Sequence, residues 1–211
     1  MSNKQTIEKS IEKTLDSAYS DYEKGLDMQE NGNDAEALIK YTNAISLMSG
    51  LLEKNWLEDK SDLAQLYILR GNIYFSLNNN DKALSDYTSS NQILSASQGD
   101  SPENIIDLSE TFFLMSSVYK NISCNDKAED CLNECINKLT ESFSIFNEDL
   151  WLDASNLLAL SQCVLADIIS ASDSINSSAL YINALNTLNE IKSKALPIDL
   201  ELYEYIQKKV K

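Results

Sequence analysis

Small residues recur in this chain at a fixed spacing, and this recurrence constrains the fold more than any other feature. Gly25 is followed twelve residues later by Ala37, and Ala37 seven residues later by Ala44. The same spacing returns twice, as Gly71, Ala83 and Ser90 and then as Ser116, Ala128 and Cys135. The three copies begin 46 and then 45 residues apart. The chain is therefore predicted to repeat one structural unit.

This spacing is typical of two antiparallel helices that pack closely. A small residue on each helix lets the two axes approach, and an aromatic residue about one turn away fills the remaining space. Tyr74 and Tyr87 are placed in this way in the second copy, and Tyr119 in the third. Turn-forming residues separate the two helices of each copy at Gly32, Asn78 and Ser123. An asparagine soon follows each of them and can cap the next helix, namely Asn33, Asn79 and Asn125.

These residues resemble the tetratricopeptide repeat family. Its helix pairs show a glycine or alanine, an aromatic residue, a turn with glycine and Asn or Asp, and then alanine, an aromatic residue and alanine. The resemblance is good in the first two copies, residues 18–47 and 64–93. It is fair in the third copy, residues 109–138, and weak in the fourth, residues 154–188. Leu132 replaces an aromatic residue of the third copy, and Met28 one of the first. The first two copies look like those of co-chaperones.

The resemblance implies an all-α fold, an α-solenoid with three recognisable helix pairs, a degenerate fourth pair and a C-terminal capping helix in one domain, 1–211. The family's period is about 34 residues, so the longer periods here predict lengthened second helices or inserted connectors. The helical spacing of apolar residues places the four pairs and the cap at about 4–53, 61–96, 102–145, 148–194 and 198–210.

Three local features concern the connectors between pairs. Ser61 is a predicted helix cap, and Ser101 is another because proline and glutamate follow it and favour a first helical turn. Trp56 lies in a connector, where an aromatic side chain is either an exposed anchor for a partner or part of the core. We favour the core position.

Charge is the strongest bound that composition sets on function. The net charge is −16, and no basic residue occurs between Lys82 and Lys120 or between Lys138 and Lys192. Nucleic-acid binding is not expected, since phosphate contacts need clustered Lys and Arg. The acidic stretches either attract a basic partner or form a solvated surface that keeps the protein soluble. We favour the solvated surface.

Catalysis and metal binding find little support in the residue types. The chain has no histidine to act as a general base and no glycine-rich phosphate loop. Its cysteines lack a close Cys-x-x-Cys pair, and buried thiols explain them better than a metal site: Cys124, Cys131, Cys135 and Cys163. We therefore predict no enzyme, no metal and no cofactor. No apolar stretch approaches the roughly 18 residues of a membrane span, and we expect no membrane insertion and a location in the cytoplasm or the nucleus.

The resemblance also implies where a partner binds, because the first helix of each pair lines a concave groove in this family. The best-known groove binds the C-terminal carboxylate of the seventy- and ninety-kilodalton heat-shock chaperones through lysine, asparagine and arginine. The corresponding residues here are Tyr22, Leu26, Leu69, Glu110 and Leu114. None of them matches, and Glu110 would repel a carboxylate. This clamp is therefore expected to be absent.

We predict a noncatalytic protein interaction module, such as an adaptor, a co-chaperone-like protein or an assembly subunit. Its apolar groove would hold a partner peptide or helix through Tyr22, Leu26, Leu69, Asn72, Phe75, Phe113 and Leu114. Aromatic and apolar anchors hold such partners, and Asn72 can bind the partner's backbone. The same stripe could instead be core under a terminal helix. The alternative function is an acidic escort chaperone for a basic client such as a ribosomal protein or a histone.

Overall fold

The computed structural model describes residues 3–96 and 101–210. This part of the chain is helical and contains no β-strand, so the all-α prediction is confirmed. The helices, with a 3-10 turn at Phe143–Ile145, are α1 Asn3–Glu30, α2 Asp34–Leu52, α3 Ser61–Ser76, α4 Asn80–Ser95, α5 Pro102–Asn121, α6 Asn125–Ser142, α7 Glu148–Ile169, α8 Ser174–Ser193 and α9 Leu200–Val210. These bounds lie within three residues of the predicted ones for every pair and for the cap.

The chain divides into two compact units, Met1–Ser97 and Gln98–Lys211. In the first unit α1 packs on α2, α2 on α3, and α3 on α4. In the second unit the same succession runs from α5 to α9. Each unit thus holds two helix pairs, and α9 packs on the last pair. A single domain over 1–211 stays a prediction.

Positive backbone angles mark the turn inside each of the first three pairs. Gly32, Asn78 and Ser123 have φ values of 73°, 57° and 60°. This left-handed conformation reverses the chain after a helix, and it suits glycine and asparagine better than most residues. The sequence-based prediction that these three positions are equivalent turns is therefore confirmed.

The caps that follow these turns differ between pairs. Asn33 and Asn79 cap α2 and α4, because their side chains accept hydrogen bonds from the backbone N–H groups three residues on. In the third pair the capping position is Cys124, which makes no such bond, and Asn125 is the first helical residue. The predicted cap at Asn125 was wrong, since one extra residue separates it from the turn.

The repeated glycines allow tyrosine rings to lie against the opposite helix. A Cβ atom on Gly71 would lie 2.7 Å from Cε1 of Tyr87, and one on Gly25 would strike the ring of Tyr41 in the same way. Both tyrosines are fully buried. The Tyr41 hydroxyl donates to Gln29 at 2.8 Å, which satisfies its polar end inside the pair. The small residue and the tyrosine are therefore one packing device.

The third and fourth pairs vary this device. Ser116 and Leu132 take the places of glycine and tyrosine in the third pair, and both are buried. A smaller partner leaves room for the serine side chain. In the fourth pair Tyr181 stands at the aromatic position of α8, and Ala184 follows it as a buried small residue. The degenerate fourth pair of the prediction is therefore a helix pair, in which α8 keeps the buried tyrosine and the small residue after it.

The connectors correct two of the local predictions. Trp56 is 38 % exposed, whereas its neighbour Leu57 is buried, so our preference for Trp56 in the core was wrong. Ser61 is the first residue of α3 rather than its cap, and both its N–H and its hydroxyl donate to Asp59. The cap at Ser101 is confirmed, since its hydroxyl accepts from the N–H of Asn104 at 3.2 Å.

One carboxylate ties the C-terminal helix to the fourth pair. Asp167 on α7 accepts hydrogen bonds from Tyr181 on α8 and from Tyr205 on α9, and Lys209 lies 3.4 Å away. Beside it Ile206 of α9 is completely buried against the α7 and α8 core. The capping helix is thus held by one apolar anchor and one charged cluster.

The helix α7 is long and apolar enough to cross a membrane by length and composition alone. Just over half of its most apolar 18-residue window, 56 %, is buried inside the protein. A core helix of a soluble protein meets the same criteria, so this property of a single helix is weak evidence for a span.

Candidate partner-binding surface

Five of the seven predicted contact residues lie on α1 and α3, and we call them the first-unit patch: Tyr22, Leu26, Leu69, Asn72 and Phe75. All five are half-buried. Tyr22, Leu26 and Leu69 pack against the buried core of the first unit, whereas Phe75 lies outside that cluster. The alternative reading, in which these residues belong to the core rather than to a groove, therefore applies in part to Tyr22, Leu26 and Leu69.

Asn72 already has a partner inside the chain. Its side-chain oxygen accepts a hydrogen bond of 2.7 Å from the hydroxyl of Tyr87 on α4. This bond fixes the amide plane at the junction of α3 and α4. A partner's backbone would have to share this oxygen or accept from the amide nitrogen.

A bond that the sequence did not indicate joins α1 to α3 at the patch. The hydroxyl of Tyr19 donates to Asp62 at 2.8 Å, across 43 residues of chain. The hydrogen bond to this carboxylate, with burial, raises the pKa of Tyr19 to about 12, so the phenol keeps its proton at neutral pH. Only a prediction of which residues of two different repeats contact each other could have found this bond.

Arg70 fixes the other side of α3. Its Nε and Nη2 donate to the two oxygens of Asp86 on α4, at 2.8 and 2.7 Å, and Nη1 reaches Thr42 on α2 at 3.3 Å. Burial lowers the pKa of Arg70, but the bonds and charge of Asp86 more than offset it, so the net shift is upward. A planar bidentate pair of this kind holds its geometry well. The helix that carries three patch residues is therefore bound to three neighbouring helices.

The two remaining contact residues, Phe113 and Leu114, lie on α5 in the second unit and are called the second-unit pair. Phe113 packs against a buried cluster formed by α6 and α7, which includes Leu139 and Leu158. Leu114 is half-buried and lies outside that cluster. Leu114 is thus the better placed of the two to contact another molecule.

Three acidic residues share α5 with this pair, and two of them have a shifted pKa. Burial raises the pKa of Glu110, and the nearby charge of Asp107 adds to the shift. The pKa of Asp107 is also raised, mainly by burial and then by the nearby charge of Glu103. Both carboxyl groups therefore take up a proton more readily than exposed ones.

The cysteines behave as separate thiols. In the described part of the chain no three His, Cys, Asp or Glu side chains converge as a metal site would require. Cys124 is exposed, and three thiols are buried: Cys131, Cys135 and Cys163. Burial raises the pKa of Cys135 to about 12, and its sulfur contacts the Ser161 hydroxyl at 3.2 Å. The three buried thiols fill core positions, whereas the expectation that Cys124 is buried was wrong.

Comparison with known families decides the nature of the second helix pair. Residues 64–93 match the family described as tetratricopeptide repeat. α3 and α4 carry a tetratricopeptide repeat. The match falls on the copy that contains Gly71, Tyr87 and the Arg70 pair, and its bounds equal those predicted from the sequence. The likeness of the first two copies to co-chaperones stays a prediction.

Solved structures extend the likeness to the rest of the chain. RapI, in its apo form, has 17 % sequence identity and a TM-score of 0.70, over 97 % of this chain and 53 % of that one. BtubC from P. vanneervenii has 15 % identity and a TM-score of 0.58, over 95 % of this chain and 81 % of that one. At such identities the likeness concerns the fold, which is that of a helical repeat solenoid. The chain spans about half the length of RapI, and no curated protein sequence matches it.

Proposed function

We propose that this chain is a noncatalytic protein interaction module that holds a peptide or helix of a partner against the first helices of its tetratricopeptide-like pairs. The observation that carries the proposal is the repeat in α3 and α4, because α3 carries three of the five residues of the first-unit patch. Repeats of this family are usually interaction modules rather than enzymes, and fold alone does not name the ligand.

The patch has the properties that a docking surface needs. Its aromatic and apolar side chains are half-buried on helices that are held in place by the bonds of Tyr19 to Asp62 and of Arg70 to Asp86. A surface that is rigid before binding loses little entropy when the partner docks. Phe75 is the apolar patch residue that does not pack against the core cluster of the first unit.

The charge of the chain supports the apolar surface over the escort alternative. In the stretches without Lys or Arg, Asp86 pairs with Arg70 and Asp167 with Lys209, and these two carboxylates are largely covered, with side-chain exposures of 6 % and 29 %. They are therefore not available to a basic client. We propose that the remaining acidic surface mainly keeps the module soluble.

A substitution at Phe75 tests the proposal. Phe75→Glu places a charge on the patch without opening the core, and affinity capture from lysate at low and at high salt should then lose a partner that the wild-type chain retains. Leu77→Glu is the matched control, because Leu77 is 58 % exposed in the adjoining turn and lies outside the patch.

Two results would count against the apolar surface. Equal loss in both variants would show that the added charge acts generally. Capture that ignores both substitutions and disappears at high salt would favour the acidic escort, since exposed charges are screened by salt.

A further inference from the structure

A cleft of about 670 Å³ opens in the second unit where α7 begins and α8 ends, and we call it the α7 cleft. Apolar walls come from Phe146, Trp151, Leu152 and Leu196. Phe143 packs against the Trp151 ring in an edge-to-face arrangement, with the two ring planes at 84° and the centroids 6.5 Å apart. A pocket with a buttressed aromatic face and a few polar groups at its rim is the common form of a recognition site.

The chain itself shows what this aromatic face binds. The ammonium group of Lys194, the residue that directly follows α8, lies 3.4 Å from the centroid of the Trp151 ring. A cation over the face of tryptophan is attracted by the negative charge of its π system. Lys194 is held loosely, since its side chain is 47 % exposed and its ion pair with Glu190 is long, at 3.6 Å.

The rim of the cleft favours a second cation. Glu148 and Asp149 line it and are exposed, and no basic residue occurs in the sequence from 139 to 191. Two carboxylates also stabilise the first turn of α7, which Asn147 caps. That role explains why they are acidic. It explains neither the open cleft beside them nor the lysine on its aromatic wall.

We propose that the α7 cleft binds an arginine side chain of an extended partner segment, with an apolar neighbour of that arginine against Phe146 and Leu196. Lys194 is an internal competitor that leaves the Trp151 face when the arginine enters. Arginine fits better than lysine, because its planar guanidinium stacks on the ring while its edge donates to Glu148 or Asp149. This site lies away from the first-unit patch, and its test does not depend on that patch.

The probe is the peptide acetyl-Leu-Arg-Leu-amide, and its control has citrulline in place of arginine, which keeps the shape and removes the charge. Binding is followed by calorimetry and by the fluorescence of Trp151. The chain has two tryptophans, so Trp56→Phe leaves Trp151 as the only reporter. The arginine peptide should quench or shift this fluorescence, and the citrulline peptide should bind at least severalfold more weakly.

Three variants separate this proposal from a purely structural role of the residues. Lys194→Met keeps the aliphatic stem but removes the competitor, so it should tighten arginine binding about two- to fivefold, as expected for a partly exposed cation–π contact. Glu148→Gln with Asp149→Asn should weaken it. Lys192→Met is the matched control, because Lys192 lies over Tyr203 at the same end of α8 and should leave binding unchanged.

Three outcomes overturn the proposal: no binding of the arginine peptide, equal binding of the citrulline peptide, or a Lys194→Met chain that binds the same or more weakly. Circular dichroism of each variant confirms that it is folded. The Phe75→Glu chain should bind the arginine peptide as the wild type does, so that loss of the first-unit patch and loss of this site are distinguished.

Discussion

Two glycines in this chain are required by the tyrosines opposite them. Gly25 faces Tyr41, and Gly71 faces Tyr87, each across the interface of a helix pair. Neither glycine needs a left-handed backbone, so the absence of a side chain is what matters. A third helical glycine, Gly50, faces no atom within 4 Å. The same substitution should therefore have opposite effects at Gly71 and at Gly50.

Gly71→Ala should destabilise the protein. The added methyl group would lie 2.7 Å from the Tyr87 ring, which is fully buried. Overpacking of this kind costs about 1–3 kcal/mol, and the better helix propensity of alanine returns up to about 1 kcal/mol. Urea unfolding measures the difference in the free energy of unfolding.

Gly50→Ala is the control for this prediction. With open space around it, alanine should stabilise α2 by about 0.5–1 kcal/mol. If both variants were stabilised alike, Tyr87 would not depend on the glycine, and the packing device would be refuted.

The thiols should differ sharply in reactivity. Burial raises the pKa of Cys131 and Cys163 to about 11 and that of Cys135 to about 12, so little thiolate forms at neutral pH. Cys124 is exposed. A thiol reagent should label one cysteine per folded chain quickly and all four in strong denaturant, and Cys124→Ser should abolish the fast phase. Two fast thiols in the native chain would contradict this placement.

Among the elements, α9 is joined to α7 by a single carboxylate, that of Asp167. Asp167 on α7 binds Tyr181, Tyr205 and Lys209, so one carboxylate joins α7, α8 and α9. Burial alone would raise the pKa of Asp167, but these partners lower it overall. A group with a lowered folded pKa stabilises the protein above its unfolded pKa, and this contribution disappears as pH falls through the folded value.

Asp167→Asn should destabilise the chain by about 1–2 kcal/mol at neutral pH, since the bonds to a charged acceptor are lost. The difference from the wild type should shrink below about pH 4, where unfolded aspartate takes up a proton. Denaturant unfolding at several pH values measures it. Asp153→Asn is the control, because Asp153 is exposed on the same helix. A difference that persisted unchanged in acid would contradict the assigned role of the Asp167 charge.

Across the whole molecule, the sequence predicted what local spacing determines. Gly32 and Asn78 ended helices where expected, because a left-handed residue and a cap are local requirements. The exposure of Trp56 was missed. Trp56 and Leu57 are adjacent apolar residues outside a helix, so helical spacing does not indicate which of the two is buried. The bond from Tyr19 to Asp62 was also missed, because it joins residues of different repeats.

The candidate surface could be predicted only in outline. The positions on α1 and α3 followed from the repeat, and all five are half-buried. Their division into core-packed residues and the freer Phe75 depends on packing between helices. The bond from Tyr87 to Asn72 likewise depends on the angle of a helix pair, which spacing does not set.

The most direct test of the interaction surface is photo-crosslinking from single positions in the intact chain. A benzoylphenylalanine introduced at Phe75 should crosslink a partner protein in cells, and one at Ile39, which is 60 % exposed on α2, should not. Mass spectrometry identifies the product from each position. A partner crosslinked from position 75 and absent from position 39 is the predicted result. Equal products from both positions, or a product from position 39 alone, would contradict binding at the first-unit patch.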